Sequence, residues 1–211
     1  MASYLYTEAV ELFHINLPEL VKTIGYLGVM GIIFAESGLL VGFFLPGDSL
    51  LFTAGLLASQ GYLHIAWLIG LTFIAAVVGD NVGYAFGKKV GPRIFSREDS
   101  RFFHKDNLRK AQEFYDAHGP GTIVLARFMP FVRTFAPILA GVGTMKYQTF
   151  FTYNLLGGAL WTIGLNLAGY YLGKVIPGVD RYLLPIVVLI VLVSVAPSFI
   201  KWLKTRRGAG S

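Results

Sequence analysis

Apolar residues run through this chain in long, nearly unbroken stretches, and the charged residues that interrupt them gather at a few places. Residues 1–23 stand apart. Glu8, Glu11 and Glu19 are interspersed with Leu5, Val10, Leu12, Phe13 and Leu20, the mixture of an amphipathic helix lying at a membrane interface. Ile24 to Phe44 is apolar and reads as a helix that Pro46-Gly47 breaks. Ser49 to Ser59 is a second apolar arm of only 11 residues, whereas about 20 are needed to cross a bilayer. Arm, break and short arm predict a re-entrant hairpin over 24–61. Leu63–Phe86 is long enough to span, as one helix within 62–87. After a polar segment, 88–120, Thr122–Phe131 and Phe135–Met145 repeat the broken pattern and predict a second re-entrant hairpin over 121–146. Phe150–Leu172, within 147–174, and Tyr182–Ile200, within 182–200, each read as spanning helices. The whole chain reads as one all-α membrane domain.

Two local matches point to an internal repeat. Gly83-Tyr84-Ala85-Phe86-Gly87-Lys88 resembles Gly169-Tyr170-Tyr171-Leu172-Gly173-Lys174, 86 residues later. Phe44-Leu45-Pro46 resembles Phe128-Met129-Pro130, 84 residues later. Each unit is a hairpin plus one spanning helix, an odd number of crossings, so the second copy must be inverted. Inverted repeats whose broken helices meet near the midplane are a common transporter architecture.

Composition agrees with a membrane protein: 55% hydrophobic, 14% charged and a mean hydropathy of +0.60, against roughly 25% charged in soluble domains. The first 20 residues lack the basic start and apolar core of a cleavable signal peptide. The net charge of +6 is concentrated in two places. Segment 88–120 holds eight basic residues and five acidic ones, with a surface helix expected over 106–118, and the tail 201–211 holds Lys201, Lys204, Arg206 and Arg207. Basic segments of this kind belong on the cytoplasmic side, so no nucleic-acid partner is implied. Without cysteine, disulfides and thiolate metal sites are excluded, and the four histidines have no ligand spacing. No metal site and no cofactor are expected.

The chemistry lies in charges at membrane depth, where an ionisable residue is costly and marks a functional site by default. Glu36 and Asp48 flank the first break, Arg127 and Arg133 the second. Arginine is planar, permanently charged and suited to bidentate binding of phosphate. Arg127 and Arg133 therefore read as a clamp for a phosphate headgroup. Pairing with Glu36 or Asp48, or snorkelling to the interface, are the structural alternatives. Glu36 follows an apolar run and suits proton exchange or ion pairing. Asp48 suits the same role, or the N-cap of a helix starting at Ser49. Asp80, in the first spanning helix, can pair with either arginine or line a substrate path, and Asn154 is a weaker mark of the same kind. Gly79 and Gly83 read as a helix-packing face, and Tyr84 and Tyr170 as interfacial anchors.

These residues resemble the DedA family of membrane proteins. The resemblance is carried by Phe34-Ala35-Glu36-Ser37-Gly38-Leu39, Phe44-Leu45-Pro46-Gly47-Asp48-Ser49-Leu50-Leu51-Phe52, Val78-Gly79-Asp80, Ala126-Arg127-Phe128-Met129-Pro130-Phe131-Val132-Arg133-Thr134-Phe135-Ala136-Pro137 and Gly141-Val142-Gly143-Thr144-Met145, and covers about 20–200. It implies residence in the bacterial cytoplasmic membrane and return of a carrier lipid, undecaprenyl phosphate, across it for envelope synthesis, driven by the proton gradient. It places the family's functional acidic pair on Glu36 and Asp48 and its arginine pair on Arg127 and Arg133. The alternatives are a phosphatidylethanolamine flippase, a passive scramblase and, more remotely, a lipid phosphatase. An enzyme is not expected: the nearest phosphatase-like fragment is Ser96-Arg97 with His104 behind it, and residue 103 is Phe. The sequence leaves the oligomeric state open, a homo-oligomer included.

Overall fold

The computed structural model describes residues 17–39, 45–94, 119–143 and 145–175, which form six helices and no strand. They are α1 (Leu17–Gly38), α2 (Gly47–Ser59), α3 (Ile65–Ile94), α4 (Thr122–Ala126), α5 (Pro130–Val142) and α6 (Tyr147–Val175). Most of the expected interfacial helix and polar segment, the surface helix over 106–118, the last span and the tail lie outside the described residues. Pro18–Gly38, Ile65–Val90 and Tyr147–Val175 are long and apolar enough to cross a membrane. Their outward side chains are apolar: Leu27, Trp67, Ile74, Leu156 and Leu160 are each at least half exposed, the surface expected of a protein solvated by lipid.

The first helix differs from its expected bounds. It starts at Leu17 and ends at Gly38, so 17–23 belongs to the same element as the apolar stretch. The expected boundary survives as a kink at Gly25, whose φ of 57° lies in the left-handed region that glycine enters without steric cost. The second break lies at the expected Phe128-Met129-Pro130. It falls at 127–129, because Pro130 opens α5 at a position where its missing N–H costs nothing. Arg133 and Pro137 therefore lie inside α5, and Pro137 offers no N–H to the Arg133 carbonyl.

The short helices pack crosswise. α2 makes its largest contact with α6, and α5 with α3. Both contacts are close enough to require glycine. A Cβ on Gly55 or Gly169 would collide with the Asn166 or Phe52 backbone, and one on Gly87 or Gly141 with that of Ile138 or Tyr84. Gly79 meets α1 in the same way, its absent Cβ lying 2.8 Å from the Phe34 carbonyl oxygen, so the expected packing face is present.

Two apolar cores result. The larger joins Val29, Ile33, Leu50, Leu51, Leu57, Leu68 and Trp161, and the smaller Tyr84, Ile123, Ala140 and Phe150. Tyr84 is thus not an interfacial anchor. It is 5% exposed, stacks on Phe150 at 4.5 Å between centroids and donates its hydroxyl to the Met145 carbonyl at 2.9 Å. Phe150 and Tyr147 of α6 lie against its ring, which the sequence of α3 does not reveal. Along α3, Asp80 falls between Ala76 of the larger core and Tyr84 of the smaller. The charged site occupies that intermediate level.

Candidate functional site

Four chain segments deliver the charges to one place. Glu36 stands in the last turn of α1 and is 1% exposed. Asp48 is in the first turn of α2, where the positive end of the helix dipole favours a carboxylate. It is not the expected N-cap: the helix begins at Gly47 with Pro46 as its N-cap and no side-chain capping bond. The Asp48 carboxylate instead turns toward α5 and α6. Arg133, in the first turn of α5, spans both acids. Its Nη1 donates to Asp48 Oδ1 at 2.5 Å and its Nη2 donates to Glu36 Oε1. Gly47 is required here, because a Cβ would overlap the Glu36 carboxylate.

Arg127 makes the second half of the site. It sits in the break between α4 and α5, 4% exposed, and its Nη2 donates to Asp80 Oδ2 and to Asn154 Oδ1, the latter at 2.6 Å. Asn154 is oriented in turn by donating Nδ2 to the Val77 carbonyl at 3.1 Å. The six residues read from the sequence thus all join, in two sets: Arg133 with Glu36 and Asp48, and Arg127 with Asp80 and Asn154.

Trp161 links the sets and was not foreseen. The Arg133 and Arg127 guanidinium carbons lie 5.2 and 5.8 Å from the centroid of its ring, within cation–π range. Its Nε1 donates to Asp48 Oδ1 at 2.8 Å. The available signal was its position: tryptophan favours the ends of spans, and Trp161 is in the middle of one.

Beside these groups is a cavity of about 80 Å³ lined by Asp48, Arg127, Phe128, Trp161 and Leu165. It has room for a few waters and not for a lipid headgroup with its chain. Several buried polar atoms nearby find no partner among the described residues, including Arg127 Nε, Glu36 Oε2, Ser49 Oγ and Thr134 Oγ1. Buried polar groups are normally paired by protein or ordered water, so ordered water is the expected partner of these atoms. The set also does not balance when fully ionised. Two guanidiniums face three carboxylates.

Comparison with known proteins places the chain in a family. The VTT domain matches residues 45–171, more than half of the chain. The chain is 44% identical over 200 residues to "Protein DedA" of Escherichia coli K12, covering 92% of this chain and 91% of that protein. The chain belongs to the VTT-domain, or DedA, family. It is also 45% identical over 169 residues to the "Uncharacterized membrane protein ML0287" of Mycobacterium leprae, covering 80% of this chain and 75% of that one. Identity to the "Inner membrane protein YqjA" of Escherichia coli K12 is 34% over 149 residues, 71% of this chain and 68% of that one. No solved structure matches significantly. With three helices among the described residues long and apolar enough to span, this DedA-family chain is a membrane protein. Asp48, Asp80, Arg127, Arg133, Asn154 and Trp161 all fall within the matched VTT stretch, and Glu36 lies just before it.

Proposed function

We propose that this protein carries a phosphate-bearing lipid across the bacterial inner membrane, with undecaprenyl phosphate as substrate, and that protons drive the movement. It works as a carrier, without enzymatic chemistry and without a cofactor. The observation that carries the reading is Arg133 held between Glu36 and Asp48 beside a second buried arginine. A lipid phosphate offers the same oxygen geometry as those carboxylates and competes with them for the guanidinium forks. In the described arrangement the acids occupy the arginines.

Charge balance supplies the coupling. When a phosphate takes Arg133, Glu36 and Asp48 lose their cation in a low-dielectric setting, where an unpaired charge is expensive. Uptake of a proton by a carboxylate offsets that cost, and its release returns the acid to Arg133 as the lipid departs. The lipid chain remains in the bilayer throughout.

The crosswise packing of α2 on α6 and α5 on α3 supports two inverted units, each placing a re-entrant hairpin against the other's spanning helix. In this arrangement the basic segment 88–120 and the tail face the cytoplasm. The functional test is flux of undecaprenyl phosphate in proteoliposomes with and without an imposed pH gradient, comparing wild type with Arg133→Lys. The variant keeps a charge but not the two-pronged fork, so gradient-driven flux should fall to background. Wild-type flux in Arg133→Lys would overturn the clamp. Gradient-independent flux would replace the carrier with a passive scramblase.

A further inference from the structure

At the end of the bundle away from α5, the first half of α1, the end of α2, the start of α3 and the end of α6 surround an open groove of about 460 Å³. Tyr26, Tyr62, His64 and Tyr170 supply its polar walls. Two cations outside its lining lie over rings that line it. Lys22 Nζ lies 4.1 Å from the Tyr62 ring centroid, and Lys174 Nζ lies 4.6 Å from that of Tyr170. Tyr26 accepts the His64 backbone N–H at 2.5 Å, which leaves its own hydroxyl proton to donate. Among the described residues of these element ends, Glu19 is the one carboxylate.

The depth of the groove follows from its neighbours. Tyr62, Trp67 and Tyr171 stand at this end with 58%, 68% and 59% of their surface exposed, and rings with one apolar and one polar part collect at the membrane–water boundary. A groove at that level faces lipid headgroups. Its volume falls in the range of about 300–1,000 Å³ typical of small-molecule sites, whereas the cavity beside the arginines is about 80 Å³. The two places are distinct. Nine positions along α6 separate Trp161 from Tyr170, about 13 Å at the helical rise, within a hydrocarbon core about 30 Å thick.

We propose that this groove docks the anionic phosphate headgroup of a membrane lipid, with Lys22 and Lys174 neutralising the phosphate and the Tyr26 and Tyr62 hydroxyls donating to its oxygens. Lysine binds phosphate as a point charge, and the two rings keep the ammonium groups at the rim. Its role as a boundary station before the arginine cluster rests on the transport reading above, but binding in the groove does not.

The test is native mass spectrometry of the full chain titrated with dioleoyl phosphatidic acid, with dioleoyl glycerol as the uncharged control. Wild type should bind phosphatidic acid in two steps. Lys22→Gln with Lys174→Gln should weaken one of them about tenfold or more, equivalent to about 1.4 kcal/mol, and leave the other intact. Both lysines are exposed, so an unchanged melting temperature would show that the fold is retained. Undiminished phosphatidic acid binding in the double variant would overturn the proposal, as would an equal loss of dioleoyl glycerol. Displacement by millimolar inorganic phosphate would overturn the lipid as the source of the headgroup. Wild-type flux in Arg133→Lys with the lysine-dependent step still present would remove the transport reading and leave the groove standing.

Discussion

Removing Arg133 should expose how the site is held together. In Arg133→Ala, Glu36 loses the guanidinium that neutralises it while remaining 1% exposed. Breaking a buried pair by deleting one partner costs about 3–5 kcal/mol. Asp48 contributes less, because its side chain is 17% exposed and keeps the Trp161 N–H. The total loss should therefore be about 3–5 kcal/mol, set mainly by Glu36. Adding Glu36→Gln removes the stranded charge and should return about 2–3 kcal/mol of it, the coupling range of residues in direct contact. Equilibrium unfolding in mixed micelles, run on wild type, both single variants and the double variant, measures this as a cycle. Flux should stay at background in the double variant even where stability returns, because the phosphate clamp is gone. Additivity within about 0.5 kcal/mol would refute the reasoning, since Arg133 would then not be what holds Glu36.

Two further outcomes follow from packing and hydrogen bonding. Gly79→Ala should cost about 1–3 kcal/mol by overpacking, since its Cβ would meet the Phe34 carbonyl and Ser37. Gly70→Ala on the same helix meets nothing within 4 Å and should stabilise by about 0.5–1 kcal/mol through helix propensity; the unfolding assay should order the two variants on opposite sides of wild type. Trp161→Phe keeps a ring between the arginines but loses the bond to Asp48, which should cost about 1.5–3 kcal/mol. Asp48→Asn should reduce that penalty, and an unchanged penalty would show that the indole N–H is not what matters.

The ion pairs were legible because membrane depth leaves few ways to place a charge. Glu36, Asp48, Arg127 and Arg133 had to meet something, and opposite charges beside two chain breaks were the nearest partners. The distribution between them was not legible. Asp80 takes Arg127, and Arg133 takes two acids at once, because α4, α5 and α6 converge in a way that no single stretch encodes. The same limit hid Trp161, whose partners come from α2, α5 and the α4–α5 break. Asp48 read as an N-cap because a window around Pro46-Gly47 contains an acid at a helix start and no hint of Arg133, 85 residues on. Tyr84 read as an interfacial anchor because the rings that cover it, Tyr147 and Phe150, are supplied by α6. At the second break, Phe128-Met129-Pro130 was legible because proline makes a better helix start than interior residue, whereas the inclusion of Arg133 in α5 was not.

The claim that lipid phosphate and carboxylates exchange on Arg133 can be read directly by difference infrared spectroscopy. Undecaprenyl phosphate would be added to the protein in nanodiscs and the carboxyl region recorded for wild type and Glu36→Gln. Lipid binding should produce a protonated-carboxyl band in wild type that is absent from the variant. Lipid binding without any change in the carboxyl bands would contradict it.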